Sequence, residues 1–281
     1  MGIKTDVLIP TYNSGKYFDE CLYWVTKTVP YNRIIVADHQ STDDTLEIAK
    51  RYGCEIYDDG GKTLAAARNL LISKASTPII TWIDSDIVIR EKYWWWRAYK
   101  TLVSSNGIGA VVARVSEEKF LSERMKYAHF WWKVAPGTRK FGMTLGSTLM
   151  RLDDVRDIRI PEILDAREDR YLEVQLLKRG KKIEFIFVNG THYFDYQEDK
   201  AYWSGANTRI ISNLIDDPDV KQTSILYFLF RRILPAPFKA IPPALYYRDP
   251  KIIMWNTRHW WKFLMGWLYP QRYRKIRRGE K

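Results

Sequence analysis

Short apolar runs alternate with segments of helical periodicity along the first part of the chain. Four segments predict strands, and all but the short third one contain continuous runs rich in β-branched residues, as in strands that are buried on both faces. They cover residues 5–10, 33–38, 54–57 and 79–83. The segments between them place apolar residues every three or four positions, which is typical of helices. This alternation predicts an α/β fold with a mostly parallel sheet flanked by helices.

The alternation continues, less regularly, beyond residue 86. The remaining predicted elements are helices from Tyr93, over 120–134 and from Glu168, and strands over 108–112, 141–150 and 183–188. His192 follows the last strand and is expected in a loop. We assign residues 1–220 to one α/β domain and residues 221–281 to a separate C-terminal region.

Two carboxylates follow the fourth apolar run. Asp84 and Asp86 come directly after Ile79–Ile83, with Ser85 between them. Because open α/β sheets bind ligands at the carboxyl ends of their strands, both side chains should line a cleft. Such oxygen ligands suit Mg²⁺ or Mn²⁺ bound together with substrate phosphates. An Asp-x-Asp triplet alone also arises by chance or as a helix cap, so other motifs must decide its meaning.

Basic charge is concentrated at one end of the chain. Residues 221–281 hold 14 Lys or Arg against Asp249 and Glu280, which accounts for the whole net charge of +12. Residues 1–220 hold 31 basic and 31 acidic residues and are neutral. A basic region on a neutral body indicates an anionic partner, which is a membrane surface, a nucleic acid or another protein.

Four motifs occur in a fixed order. They are Ile9-Pro10-Thr11-Tyr12-Asn13, Asp38 with Ser41–Thr45, Asp84-Ser85-Asp86, and Glu168-Asp169. Together they resemble the family 2 glycosyltransferases of GT-A fold, over roughly residues 3 to 195. Each motif alone has a plainer interpretation, because Asp38 suits a helix cap and Glu168-Asp169 suit the first turn of a helix.

The resemblance implies an inverting, metal-dependent transferase that uses a nucleotide-sugar donor. Its implied donor-binding residues are Pro10, Thr11, Tyr12, Asp38, His39, Arg68, Asp84, Ser85 and Asp86. Asp84 and Asp86 would hold Mn²⁺ or Mg²⁺, which would stabilise charge on the leaving diphosphate. Arg68 would approach the base or diphosphate, although an arginine on an alanine-rich helix is also typical of a solvated charge. Many members have a second acid in place of His39, so the choice of nucleotide base stays open.

The same resemblance implies the acceptor side of the site. Asp169 would take the proton from an acceptor hydroxyl, with Glu168 beside it as a further acceptor contact. Gly146 and Ser147, on a strand expected to cross near the cleft, are candidate acceptor contacts. His192, just past a strand end, is a candidate metal ligand, and a hydrogen-bonded loop histidine is the alternative.

The C-terminal region holds apolar, Trp-rich segments interrupted by basic residues. None supplies the roughly 20 apolar residues of a spanning helix, so we expect amphipathic helices lying on an anionic membrane surface, at its cytoplasmic face. The acceptor expected there is polyprenyl- or dolichyl-linked, with GDP-mannose slightly favoured over a UDP-sugar as donor. No nucleic-acid partner is expected, because nothing in the catalytic part suits one. The alternatives are a soluble or protein-directed transferase with the tail as a dimer interface, and a catalytically silent nucleotide-binding scaffold.

Overall fold

Two β-sheets form the framework in the computed structural model, which describes residues 2–115, 123–134, 142–193, 200–214, 226 and 229–270. The strands are β1 (Thr5–Thr11), β2 (Tyr31–Asp38), β3 (Glu55–Asp58), β4 (Ile79–Ile83), β5 (Ile87–Ile89), β6 (Ile108–Val115), β7 (Ser147–Arg151), β8 (Lys182–Val188) and β9 (Gly190–His192). The main sheet has the order β3-β2-β1-β4-β7-β6-β8, and β5 pairs with β9 in a second, small sheet.

Helices connect the strands and continue into the C-terminal region. They are α1 (Gly15–Thr28), α2 (Thr45–Arg51), α3 (Leu64–Lys74), α4 (Trp94–Val103), α5 (Glu123–Val134), α6 (Glu168–Lys178), α7 (Lys200–Leu214), α8 (Ala236–Tyr246) and α9 (Lys251–Leu268). The side chain of Thr63 caps α3 by accepting from the N–H of Ala66 at 3.3 Å. A 3₁₀ turn covers Leu152–Asp154, and a short π-helix covers Leu229–Ile233.

The predicted α/β architecture is confirmed, with two corrections. β1 pairs in parallel with β2 and β4, and β2 with β3, but β7 runs antiparallel between β4 and β6. β7 begins at Ser147, later than predicted, because the chain before it turns to bring the Gly146 carbonyl to the N–H of Asp84; residue 141 of the predicted strand lies outside the described residues. His192 lies in β9 and not in a loop, because the segment after β8 pairs antiparallel with β5.

Apolar side chains cover both faces of the main sheet, which explains why its central strands β1, β2 and β4 contain continuous apolar runs. Every residue of β4 is buried. Trp94 and Trp95 of α4 belong to this core, where their indole N–H groups donate to Thr28 Oγ1 at 3.0 Å and Thr81 Oγ1 at 2.8 Å. These hydrogen bonds allow large amphipathic rings to be buried without an unpaired donor.

The chain divides into two compact units, residues 1–118 with 142–194 and residues 119–141 with 195–281. The second unit therefore takes a segment from the middle of the chain, which a single boundary at residue 220 does not provide. It contains α5, α7, α8 and α9.

Two glycines set the contact between α7 and α9 in the second unit. A Cβ on Gly205 would overlap the carbonyl of Phe263, and one on Gly266 would overlap the carbonyl of Tyr202. The two helix backbones thus approach as closely as only glycine permits. Among the described residues, no helix is long and apolar enough to cross a membrane.

A buried carboxylate joins the start of the main sheet to the loop before β4. Asp6 accepts hydrogen bonds from Arg33 Nη2 at 3.0 Å, Asn32 Nδ2 at 3.0 Å and the N–H of Ser76 at 2.8 Å. Burial opposes ionisation of this carboxyl, but the hydrogen bonds from Arg33, Asn32 and Ser76 outweigh it and lower the pKa of Asp6.

The substitution Asp6→Asn is expected to lower the free energy of unfolding by about 2–3 kcal/mol at pH 7, because it leaves Arg33 without its buried charge partner. Since the folded pKa of Asp6 is lowered, this contribution is present at neutral pH and is lost as the pH falls through that pKa, below 3.8. Urea unfolding at pH 7, 5 and 3.5 measures the difference.

Asp19→Asn is the matched control, because it weakens the ion pair of Asp19 with Arg51, in which both side chains are more than half exposed. Such pairs contribute little, so its stability should stay close to that of the wild type. Equal losses in the two variants would contradict the importance assigned to Asp6.

Candidate active site

The carboxyl ends of β1 and β2 meet at a buried aspartate. Asp38 accepts hydrogen bonds from Thr11 Oγ1 at 2.9 Å, from Ser41 Oγ at 2.6 Å and from the N–H of Ser41 at 2.8 Å. The N–H of His39 donates to the carbonyl of Thr11 at 2.9 Å. Thr11, Asp38 and Ser41 thus hold the two strand-end loops together. Pro10 pairs with Ala37, beyond the last β1–β4 pair at Leu8.

His39 is oriented by a carboxylate that sequence reasoning missed. Its Nδ1 lies 2.9 and 3.1 Å from the two oxygens of Asp59, which is buried and also accepts from the N–H of Gly61 at 2.8 Å. Tyr12, which is 57% exposed, meets the imidazole edge-on with ring centroids 5.1 Å apart. Because Nδ1 is engaged by Asp59, Nε2 is the ring nitrogen available to a ligand. The signal for Asp59 was its place directly after β3, at the same edge of the sheet as Asp38 and Asp84.

Asp84 at the end of β4 pairs with a buried arginine. Arg68 of α3 is 2% exposed, and its Nη2 donates to Asp84 Oδ1 at 2.7 Å. The guanidinium also lies over the ring of Trp82, 4.9 Å from the centroid. Arg68 is therefore an internal partner of Asp84. It is not a solvated charge, and its contact to the base or diphosphate stays a prediction.

Gly146 lets the chain before β7 approach this pair. Its carbonyl accepts from the N–H of Asp84 at 2.9 Å, and a Cβ at this position would lie 2.7 Å from Asp84 Oδ2. A side chain here would displace the carboxylate, so the glycine is a steric requirement of the site. The hydroxyl of Ser147 is buried and donates to the carbonyl of Ala113, and the predicted contact of Ser147 to the sugar acceptor stays a prediction.

Asp86 and His192 meet across the small sheet. Ile87 pairs with His192, the N–H of Tyr193 donates to the carbonyl of Asp86 at 2.8 Å, and His192 Nε2 lies 3.4 Å from Asp86 Oδ2. Two ligands of one six-coordinate cation lie about 3 Å apart, so the pair fits a shared divalent ion. Among the described residues no three His, Cys, Asp or Glu side chains form a metal cluster. Phosphate oxygens of a bound ligand are donors of the kind that would complete such a coordination.

Ser85, between the two aspartates, contacts the loop after β1. Its Oγ lies 2.7 Å from Ser14 Oγ, and it is buried. The N–H of Asn13 in the same loop donates to Ser41 Oγ at 2.9 Å. The three strand-end loops are thus joined by short polar side chains, although the sequence motifs marked only Ser85 and Ser41.

The carboxylates at the start of α6 differ in their surroundings. Glu168 is 5% exposed and lies 3.7 Å from Arg68 Nε, whereas Asp169 is only partly buried and accepts from the N–H of Arg170 at 2.6 Å. Burial and the neighbouring charge of Asp169 raise the pKa of Glu168 to about 7, against the opposing charge of Arg68. Burial also raises the pKa of Asp169, against the charge of Arg167.

We expect Glu168→Gln to become more stable relative to the wild type as the pH rises. The folded pKa of Glu168 is raised, so the wild type loses stability between about pH 4.5 and pH 7, where the unfolded carboxyl is ionised first. Between pH 5 and pH 8 the difference in unfolding free energy should change by about 2 kcal/mol in favour of the variant. Urea titrations at the two pH values measure this change.

Glu184→Gln, at an exposed position of β8, provides the control and should show no comparable trend. A constant difference between Glu168→Gln and the wild type from pH 5 to pH 8 would rule out the raised pKa.

Known sequences that align with this chain are glycosyltransferases. Glycosyltransferase GlyG of Streptococcus pneumoniae is 34% identical over 92 residues, which is 30% of this chain and 31% of that protein. Poly(ribitol-phosphate) beta-N-acetylglucosaminyltransferase TarS of Staphylococcus aureus is 31% identical over 101 residues, 32% of this chain and 17% of that protein. The aligned region thus spans less than a third of either relative.

Solved structures share the fold. Mannosyltransferase PcManGT from Pyrobaculum calidifontis, in complex with GDP-Man and Mn²⁺, matches with a TM-score of 0.66 at 13% identity, over 95% of this chain and 88% of that one. Glucosyl-3-phosphoglycerate synthase from Mycobacterium tuberculosis, in complex with Mn²⁺, UDP and glucosyl-3-phosphoglycerate, matches with a TM-score of 0.52 at 16% identity, over 77% and 82%. The model of glycosyl transferase family 2 matches residues 6–156, more than half of the 281 residues, and the chain therefore belongs to that family.

Proposed function

We propose that this protein is an inverting, metal-dependent glycosyltransferase that moves a sugar from a nucleotide donor to a lipid-linked acceptor. The observation that carries the proposal is the meeting of two kinds of carboxylate at one edge of the main sheet. Asp84 lies next to Asp86, which faces His192, and Arg68 joins Asp84 to Glu168 at the start of α6. A cation-binding pair and a proton-accepting pair are the two groups that glycosyl transfer requires.

The metal is Mn²⁺ or Mg²⁺, with Asp86 and His192 as its protein ligands. Carboxylate oxygen and imidazole nitrogen are both ligands of Mn²⁺. A bound cation would supply positive charge where negative charge grows on the diphosphate leaving group. Asp84 has a different task in this arrangement, because Arg68 already holds one of its oxygens at 2.7 Å. We assign it to orient the donor, with the metal as its neighbour.

Asp169 is the base on the acceptor hydroxyl. The acceptor oxygen forms a bond to the anomeric carbon, the bond from that carbon to the diphosphate oxygen breaks, and the hydroxyl proton passes to the carboxylate of Asp169. Attack opposite the leaving group inverts the configuration. The choice of Asp169 over Glu168 rests on exposure, because Glu168 is buried against Arg68 while Asp169 retains exposed surface. A general base is most efficient when its pKa is near the working pH, and the pKa of Asp169 is raised in that direction.

The donor is a GDP- or UDP-sugar, with GDP-mannose slightly favoured. PcManGT was solved with GDP-Man and Mn²⁺, and the Mycobacterium tuberculosis synthase with UDP and Mn²⁺. In this chain Tyr12 offers an exposed ring for stacking, and Asp59 holds His39 so that Nε2 can accept from a base N–H. Guanine and uracil both present such an N–H group, so the base has to be measured.

The acceptor we propose is polyprenyl- or dolichyl-linked, at the cytoplasmic face of a membrane. Its support is the concentration of basic and aromatic residues in residues 221–281, which suits an anionic lipid surface. A soluble acceptor with the same catalytic residues is the competing possibility, and it predicts equal turnover with and without a lipid carrier.

Asp169→Asn is expected to lower the transfer rate by about 100-fold or more, because an amide cannot take the acceptor proton. Nucleotide binding in the presence of Mn²⁺ should be unchanged. The rate is measured as GDP or UDP released from the corresponding sugar nucleotide with a polyprenyl-linked sugar as acceptor, which carries the hydroxyl group that the base must deprotonate. Asp157→Asn, at an exposed position paired with Arg179, is the control and should retain wild-type turnover. A wild type without turnover that still binds nucleotide would favour a silent scaffold.

Thermal unfolding with GDP and with UDP, each with and without Mn²⁺, tests donor and metal together. A ligand that binds only the folded state raises the midpoint, so the correct nucleotide should raise it in a metal-dependent way. His192→Ala and Asp86→Asn should each abolish the dependence on Mn²⁺. If His192→Ala keeps the full metal-dependent shift, the histidine is a hydrogen-bonded strand residue and not a ligand. No shift with either nucleotide would contradict the enzyme proposal.

A further inference from the structure

On helix α8 in the second unit, small residues face inward and large apolar residues are exposed, which is the reverse of the usual arrangement. The side that faces the unit carries only small residues and a proline, which are Ala236, Ala240, Pro243 and Ala244. The opposite side carries the large apolar residues Phe238, Ile241 and Leu245 at helical spacing, and the exposed Leu234 lies just before the helix. We call these four residues the α8 apolar face. Phe238 and Leu245 are 72% and 73% exposed. A helix that only packs on a core would place its large side chains inward.

Packing and hydrogen bonds on the inward side of α8 fix the orientation of the helix. Ala240 and Ala244 pack with Ile252 of α9, and Asn256 Nδ2 donates to the carbonyl of Ala236 at 2.7 Å. Pro243 removes the N–H that would bond the Lys239 carbonyl within the helix. Trp131 Nε1 of α5 donates to that carbonyl instead, at 3.2 Å. The α8 apolar face therefore points away from these contacts.

Positive charge borders the α8 apolar face at both ends. Arg232 precedes the helix, and Arg248 and Lys251 follow it, all three exposed. Asp249 is the only acid between residues 229 and 270, and its Oδ2 is paired with Lys126 Nζ at 2.6 Å. A large apolar stripe with exposed cations at both ends matches the boundary between anionic headgroups and acyl chains.

We propose that the α8 apolar face inserts into the surface of an anionic lipid bilayer, with the helix lying in the membrane plane. The helix has 11 residues and is about 16 Å long, roughly half the thickness of a hydrocarbon core. A second copy of the chain is a poorer occupant. In a two-fold symmetric contact the same patch meets itself, so the basic ends of the two helices would face one another.

This inference deepens the proposed location at a membrane, and its experiment needs no turnover. Co-sedimentation without nucleotide uses vesicles of phosphatidylcholine alone and vesicles in which a fraction is phosphatidylglycerol. The wild type is expected to bind the anionic vesicles about tenfold more strongly than the neutral ones. Phe238→Ser with Leu245→Ser should lower binding to the anionic vesicles by about tenfold or more. Arg248→Gln with Lys251→Gln should lower binding to the anionic vesicles toward the level of the neutral ones.

Leu177→Ser with Phe187→Ser is the matched control, because both residues are exposed apolar side chains of the first unit. It should bind vesicles like the wild type.

Unchanged binding after loss of Phe238 and Leu245 would overturn the inference. The inference would also be overturned if the wild type were a dimer and Phe238→Ser with Leu245→Ser made it a monomer. That result would identify the α8 apolar face as a self-association surface. If Phe238→Ser with Leu245→Ser fails to fold, Phe238→Ser alone is tested by the same co-sedimentation, with weaker binding to anionic vesicles as the expected result. Vesicle binding without transfer would fault the proposed reaction and leave this inference intact.

Discussion

The buried guanidinium of Arg68 is the interaction on which the candidate site depends. It comes from α3 and lies between Asp84 at the end of β4 and Glu168 at the start of α6. A buried cation is tolerated only where anions compensate it, so the three segments must come together for any of them to be stable. Among the described residues its Nε and Nη1 have no hydrogen-bond partner, which makes its charge depend all the more on these carboxylates. Gly146 also approaches this pair closely, since a Cβ at its position would lie 2.7 Å from Asp84 Oδ2.

Chemically equal carboxylates acquire different properties from their neighbours in this arrangement. Asp84 faces Arg68 and Asp86 faces His192, although only one residue separates them in the chain. The positions of Asp84 and Asp86 in the short connection between β4 and β5 do not by themselves produce that difference. It comes from α3 on one side and β9 on the other. Glu168 and Asp169 differ in the same way, because one is buried against Arg68 and the other keeps exposed surface.

The second unit differs from the first in that one of its helices, α8, exposes large apolar side chains. In the first unit the largest apolar side chains, such as Trp82 and Trp95, are fully buried, and polar groups gather at the carboxyl ends of the strands. In the second unit Gly205 and Ala240 allow close helix contacts and large side chains such as Trp267 are buried, but other large apolar side chains remain exposed on α8.

The sequence by itself determined the α/β architecture, the place of Asp84 and Asp86 after β4, and the separation of charge along the chain. These features depend on local periodicity and on composition, which a single sequence displays directly. Tertiary structure alone decided that β7 enters the sheet antiparallel, that Asp59 orients His39, that Arg68 is buried, and that His192 reaches Asp86. Each of these is a pairing between distant segments, whose energy depends on burial and on neighbouring charges that no local pattern encodes.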